Sequence, residues 1–553
     1  MSVSISAKIQ NEAATQQLST TQFSLFVALF FVVFYNSSFF MAIFGLVDFT
    51  SVKGIIFIAN ISLVLWLSTS IIISLLTLPY VVKVLFPVLF ISAASVAYFM
   101  DTYGVVIHRL MIQNVMETDL GESEALMNIH LVLYVIALGV LPSLLILRMN
   151  ISYGSVKSEC WRKIKFIVIA FIACLALIMS MSMDYASFFR NHKNIRQMAN
   201  PLNFIYAGLS YATSTNGVVE VKPIENDAVL SPFGKALTKP TLFILVVGET
   251  ARADHFGLNG YARNTTPLIA QQNIINFPNV VSCGTETAVS VPCMFSALGH
   301  NHYSDSKAKS QEGLLDVIHH AGIDVLWRDN NSSCKGACNR VTYEDMQHLK
   351  IPELCNDREC FDEVLLHSLN EKVASVTGSK VIVLHQKGSH GPDYFNRYPQ
   401  NKEFFTPVCK TNQLQDCTKE EVINAFDNTI RYTDYFLNST IEWLKTKNDQ
   451  YNTALIYLSD HGESLGEDNL YLHGMPYSIA PKEQKQIPFF MWLSNDYEKA
   501  NAISSDCLKN STADNYSQDN LFHTVLGMLD VQTKVYNPVL DIIKPCQQIP
   551  KSF

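Results

Sequence analysis

Charge is nearly absent from the front of this 553-residue chain. Its first hundred positions hold only Lys8, Glu12, Asp48, Lys53 and Lys83, out of 41 basic and 49 acidic residues in the whole sequence. A helix that crosses a bilayer needs about 20 predominantly apolar residues. Five stretches qualify: residues 23–47, 54–78, 81–99, 129–147 and 164–182. One such stretch alone reads equally well as a buried core helix. Five within the first 185 residues read as a membrane domain, which excludes a wholly soluble or disordered protein. Residues 1–22 lack a charged n-region, a short apolar stretch and a small-residue cleavage site, so they are expected to stay attached as part of an uncleaved anchor.

Loop charges orient the spans. Between the fourth and fifth lie Arg148, Lys157, Arg162, Lys163 and Lys165 against the single acid Glu159, which marks a cytoplasmic loop. The preceding loop carries Glu117, Asp119, Glu122 and Glu124 and is expected outside. The amino terminus is then cytoplasmic, and five crossings carry the rest of the chain to the far side. Cysteine placement agrees. Cys160 and Cys174 fall in the membrane part, whereas ten cysteines follow residue 280, mostly in close pairs and never as Cys-x-x-Cys. Zinc-finger ligation favours that missing spacing, so the ten read as disulfides of an oxidising compartment such as a bacterial periplasm. A net charge of −8 argues against nucleic acid as a partner.

Residues 186–240 read as an interfacial linker, with an amphipathic stretch over 190–215. From 241 to 553 short apolar runs at 242–247, 324–327, 380–384 and 453–458 alternate with helical stretches such as 420–445. Solid apolar strands alternating with helices predict a mostly parallel sheet covered on both faces. Ligands in such folds bind beyond the carboxyl ends of the strands. There the sequence places Gly248-Glu249-Thr250, Ser459-Asp460-His461-Gly462-Glu463 and the segment from His385 to Pro392; Tyr471-Leu472-His473-Gly474 follows. Oxygen and nitrogen donors of these kinds suit zinc. A hydroxyl-rich loop, Cys283-Gly284-Thr285-Glu286-Thr287, precedes an apolar stretch that can form a helix, whose positive end attracts anions. Helix capping is the plainer role for those hydroxyls.

These motifs, with Val247-Gly248-Glu249-Thr250-Ala251-Arg252 and Tyr471-Leu472-His473-Gly474-Met475-Pro476, resemble those of the bacterial phosphoethanolamine transferases that modify lipid A, the EptA type that includes the mobile colistin-resistance enzymes. The resemblance runs from the first span to about residue 540. It implies an alkaline-phosphatase-like or sulfatase-like catalytic domain behind the five spans, in the bacterial inner membrane and facing the periplasm. It implies zinc ligands at Glu249, Thr287, Asp460 and His461, with Thr287 as nucleophile. One zinc is expected to bind tightly, and a second during turnover is left open. Asn331, Lys335, His390, Glu463 and His473 are implied around the phosphate, with His390, His473 and Lys335 in catalytic roles. A headgroup pocket is implied at Asn114, Thr118 and Glu122. Disulfides are implied at Cys283–Cys293, Cys334–Cys338, Cys355–Cys360 and Cys409–Cys417; the pairing of Cys507 and Cys546 is left open. Glu286 departs from the family, in which serine is frequent. The implied reaction moves phosphoethanolamine from phosphatidylethanolamine to a phosphate of lipid A through a phospho-threonine, and the implied outcome is resistance to polymyxins such as colistin and to cationic peptides. The chain is expected to work as a monomer in the lipid bilayer. A transferase of the same fold with another acceptor (a core sugar, a glycan or a protein) stands as the alternative, as does a membrane-bound phosphodiesterase. A sulfatase is disfavoured by the lack of Cys-x-Pro-x-Arg, and a transporter by the scarcity of intramembrane charge.

Overall fold

The computed structural model describes residues 17–117, 126–192, 195–214, 221–356 and 358–548. They form two compact units: residues up to 112 together with 127–213, and residues 113–126 together with 214 onward.

In the first unit α1 (Thr20–Phe34) and α2 (Ser37–Leu46) are followed by α3 (Val52–Leu76) and α4 (Val82–Tyr103). The short α5 (Arg109–Glu117), whose residues from Gln113 onward belong to the second unit, precedes α6 (Ile129–Arg148) and α7 (Val156–Ser180). Among the described residues four helices are long and apolar enough to cross a membrane, and α1 with α2 makes a fifth span if taken together. The first predicted span is thus not one straight helix: α1 and α2 bend by 61°. Asn36 sits at the break. Its amide donates to the Phe31 carbonyl and the Asn200 carbonyl, both at 2.9 Å, and its oxygen accepts the Asn200 N–H. A side chain that takes over a helix carbonyl in this way ends the regular ladder. The fifth span also begins earlier than residue 164, because Ser155 caps α7 at its start. Ala93, Ala94 and Ala97 on α4 are fully buried, and Gly139 of α6 lies against Ile91. Small residues there let the two helices approach closely. The predicted amphipathic stretch at 190–215 is largely helical. After α8 (Ser182–Asn191) comes α9 (Leu202–Ser214), whose Phe204 and Ile205 pack on the unit's core.

The second unit is built on an eight-stranded sheet. Its strands are β1 (Thr241–Gly248), β2 (Ile274–Val281), β3 (Asp324–Asp329), β4 (Thr342–Asp345), β5 (Lys380–His385), β6 (Asn452–Ser459), β7 (Gln486–Leu493) and β8 (Tyr516–Ser517). Their spatial order is β8-β2-β7-β6-β1-β5-β3-β4, and every pairing is parallel except the two made by β7. β1 shows why its run is solidly apolar. Phe243, Leu245 and Val247 enter the core on one face, and Leu242, Ile244 and Val246 the core on the other. The longest helix of this unit, α11 (Lys419–Lys445), starts at a reciprocal cap: Thr418 N–H donates to the Glu421 carboxylate and Glu421 N–H to the Thr418 hydroxyl. Five disulfides join Cys283–Cys293, Cys334–Cys338, Cys355–Cys360, Cys409–Cys417 and Cys507–Cys546.

Candidate active site

The three central parallel strands β5, β1 and β6 end at one edge of the sheet, and each turns into a polar segment there. Glu249 leaves β1. The next residue, Thr250, has φ of 52°, a backbone state that is strained for a branched side chain. That turn points the Thr250 N–H at Asp460 Oδ1, 3.1 Å away. Asp460 and His461 leave β6, and the carbonyl of Asp460 is held by Gln518 Nε2 at 2.7 Å and by the Ser290 hydroxyl. The segment after β5 closes over Glu249: Ser389 N–H donates to the Glu249 carbonyl at 3.0 Å. Gly388 has φ of 53°, and a Cβ there would lie 2.7 Å from that carbonyl oxygen, so no side chain fits. Asp362 anchors the same segment by accepting the N–H groups of Lys387 and Gly388.

Thr287 is the first residue of α10 (Thr287–Met294). Its hydroxyl lies 3.1 Å from both oxygens of Glu249 and 3.3 Å from His461 Nε2. His461 Nε2 is in turn 3.5 Å from Glu249 Oε1 and 3.3 Å from Asp460 Oδ2. Glu249, Asp460 and His461 are fully buried, and their donor atoms lie within 4.8 Å of one another. Two carboxylates and an imidazole at this spacing form a donor set for zinc. The fit is supported by Asp460 Oδ2, a buried acceptor with no hydrogen-bond partner in the protein. His461 donates from Nδ1 to the Gly462 carbonyl at 2.9 Å, which turns Nε2 toward the other donors. Burial lowers the His461 pKa to about 4 against the pull of Asp460, so the ring is held in its neutral, ligating form.

A second layer borders this cluster. The His473 ring lies 4.5 Å from the His461 ring, tilted by 43°, and 5.4 Å from the His390 ring, nearly edge-on at 63°. Burial opposes protonation of His473, but the Glu463 carboxylate, 3.3 Å from its Nδ1, raises its pKa overall. Burial, reinforced by His473, holds His390 far below the ordinary imidazole range. Glu463 itself is raised by burial. Glu463 Oε2 and His390 Nδ1 are buried without hydrogen-bond partners.

The predicted residues therefore fall into three groups. Glu249, Thr287, Asp460 and His461 come together, with His390, Glu463 and His473 beside them. Asn331 donates from Nδ2 to Glu249 Oε2 at 2.6 Å, so it touches a member of the first group directly. Lys335 donates from Nζ to the carbonyl and hydroxyl of Ser332. Asn114 donates to Glu286 Oε2 at 2.7 Å, which ties the residue preceding Thr287 to α5. Thr118 and Glu122 lie outside the described residues. Sequence reading did not single out Gln518, Asp362 or Asp329. Gln518 and Asp362 have partners distant in sequence, and Asp329 joins two near neighbours to the distant His385, so no spacing signals any of them.

Comparison with known proteins sharpens this geometry. Residues 65–215 match the family profile "Phosphoethanolamine transferase EptA/EptB", and residues 241–531 match the profile "Sulfatase". The phosphoethanolamine transferase EptA of Escherichia coli K12 is 41% identical over 529 residues, covering 95% of this chain and 96% of that protein. The phosphatidylethanolamine transferase Mcr-1 of Escherichia coli is 41% identical over 450 residues, covering 79% of this chain and 83% of that protein. The crystallised integral membrane lipooligosaccharide phosphoethanolamine transferase A from Neisseria meningitidis superposes with a TM-score of 0.93 at 37% identity, covering 96% of this chain and 100% of that one. With its apolar helices and sulfatase-like second unit, the chain belongs to the phosphoethanolamine transferase family, as a multi-pass inner-membrane enzyme with a periplasmic catalytic domain.

Proposed function

We propose that the enzyme transfers phosphoethanolamine from phosphatidylethanolamine to a phosphate of lipid A, with Thr287 as the nucleophile. The observation that carries this reading is the Thr287 hydroxyl, set 3.1 Å from Glu249 and 3.3 Å from His461 at the start of a helix. A threonine hydroxyl is a weak nucleophile at neutral pH. Glu249, Thr287, Asp460 and His461 would hold a zinc ion, which when bound would supply the Lewis acidity that favours deprotonation of the Thr287 hydroxyl.

Thr287 Oγ attacks phosphorus as its proton passes by way of His473 or His390 to the diacylglycerol oxygen, whose bond to phosphorus breaks. The group rests on Thr287 as a phosphoester. An oxygen of a lipid A phosphate then attacks the same phosphorus, and Thr287 regains its proton. Asn331, Lys335 and Glu463 are assigned to the phosphate side, where Lys335 offsets charge on the equatorial oxygens. Asn114, Thr118 and Glu122 are assigned to the donor headgroup. The site is assigned one tightly bound zinc, with the number engaged during turnover left open. We assign residues 1–185 to membrane anchoring, 186–240 to the link and 241–553 to catalysis in a single chain. Donor and acceptor are both lipids, so a tethered site meets each at high local concentration. The added amine weakens electrostatic attraction of cationic peptides such as polymyxins to the cell surface.

Mass spectrometry of lipid A from cells carrying the parent or Thr287→Ala tests the proposal. A gain of one phosphoethanolamine is expected with the parent alone. An undiminished gain in the variant removes Thr287 from the chemistry, and a gain on a core sugar in its place moves the acceptor.

A further inference from the structure

β3 ends at Asp329, a fully buried carboxylate that touches none of the cluster's donor atoms directly. It accepts three N–H groups. Trp327 Nε1 donates to Oδ2 at 2.7 Å, the Asn331 backbone donates to Oδ1 at 2.8 Å, and His385 Nδ1 lies 3.1 Å from Oδ2. The last of these fixes a tautomer. With its proton on Nδ1 shared with Asp329, His385 presents a bare Nε2, which lies 3.4 Å from the Asn331 amide nitrogen.

Asn331 has no rotational freedom left. Its oxygen accepts the Ser332 N–H at 2.7 Å, and its amide nitrogen donates to the Gln386 carbonyl at 3.0 Å and to Glu249 Oε2 at 2.6 Å. A flipped amide would set oxygen against two acceptors and nitrogen against a donor. The bond to Glu249 is therefore dictated by the Asn331 backbone position, and that position is dictated by Asp329.

We propose that Asp329 is a positioning residue for Glu249, acting through Asn331: it sets the orientation in which the Glu249 carboxylate meets a metal ion. The inference rests on the reading of Glu249 as a zinc ligand and extends it to the layer behind the ligand. Groups that orient a metal ligand typically change metal affinity by roughly 10- to 100-fold when altered. Asp329→Asn is the informative change. Its amide nitrogen must face either the Asn331 N–H or the Trp327 and His385 side. His385 can answer by exchanging tautomers, but Trp327 and the backbone N–H cannot.

The test is zinc affinity of the full-length protein in detergent, measured by competition with a chelator, for the parent, Asp329→Asn, Asn331→Ala and the double variant. Both single variants are expected to bind zinc roughly 10- to 100-fold more weakly. The double variant is expected to bind no more weakly than Asn331→Ala, because both act through one path. Parent-like affinity in Asp329→Asn, or losses that multiply in the double variant, would overturn the proposal. If Asp329→Asn does not fold, Trp327→Phe keeps the ring and removes one donor to Asp329; a several-fold loss of affinity supports the relay, and unchanged affinity overturns it. Glu249→Ala separates the two levels: parent-like zinc binding there defeats the ligand assignment itself.

Discussion

His523 couples one imidazole to the pH tolerance of the catalytic unit. It lies on α12 (Asp519–Met528), almost fully buried, with its ring against Phe522 and Tyr536. Its Nδ1 accepts the Asn537 N–H at 3.0 Å, which requires the neutral ring. Burial lowers its pKa to about 4, partly opposed by Asp519. The unfolded chain therefore binds the proton first as pH falls, and stability declines from about pH 6.5 down to about 4. Asp541 has the opposite sign: burial raises it to about 6, so its contribution is greatest below the ordinary carboxylate range and is lost as pH rises through about 6. His523→Gln keeps an acceptor for Asn537 and removes the titration. Thermal melts between about pH 7 and about pH 4.5 should show the parent losing more stability than the variant on acidification; parallel curves would show that His523 does not titrate in this window. The ligand-type residues at strand ends were legible because motif, spacing and strand prediction coincide at Glu249, Asp460 and His461. Asp329 and Gln518 were not, because a single carboxylate or amide gains its meaning from partners that only the fold brings near.

At the level of elements, two of the four strands that sequence reading overlooked share a cause, whereas β4 and β8 are simply short, at four and two residues. β2 contains Pro278 and β7 contains Pro488, and proline demotes a run as a strand candidate because it donates no ladder bond. The structure accommodates both where the β7–β2 register shifts, between Ile487 and Phe489. The turn after β6 is constrained more tightly. A Cβ on Gly462 would lie 2.0 Å from the Glu483 carbonyl oxygen, a backbone atom that cannot swing aside, and Gly462 N–H donates to the Gln484 carbonyl. Gly462→Ala must therefore move the chain next to His461. Overpacking of this kind destabilises by about 1–3 kcal/mol, and the displacement of His461 should weaken zinc binding as well. Urea unfolding and chelator competition would read the two effects. Gly208→Ala, in a helix where an added methyl meets nothing within 4 Å, is the control expected to leave zinc binding unchanged and to cost no stability. A Gly462→Ala protein as stable and as zinc-avid as the parent would mean that the turn yields without disturbing His461.

On the scale of the whole molecule, chemistry is sorted by side of the membrane. All ten cysteines of the second unit are paired, whereas Cys160 and Cys174 are free in the first. Disulfides persist outside the cytosol, and the basic segment around the start of α7, which holds Cys160, is expected inside it by its charge. The first unit shows two matching rims. At one, Leu18 and Ser19 pair with Ile151 and Ser152, Lys163 Nζ donates to the Thr77 carbonyl, and Cys160 is exposed. At the other, Lys53 meets Asp184 at 2.6 Å and Ser38 N–H donates to Asp101. The bent α1–α2 pair starts at the first rim and has reached the second by Ser38, so it crosses despite its break. We propose on this ground that the bent pair is one span, making five crossings, the number that puts the start of α1 inside and the disulfide-bearing unit outside. A membrane-impermeant maleimide applied to cells with a permeabilised outer membrane should therefore leave Cys160 unlabelled, and inverted inner-membrane vesicles should label it. Thr50→Cys in a Cys160→Ser background should show the reverse, since exposed Thr50 follows α2 on the outer side. Labelling of Cys160 from the periplasmic side, or of position 50 only from within, would invert the rims and with them the compartment in which the ten paired cysteines fold.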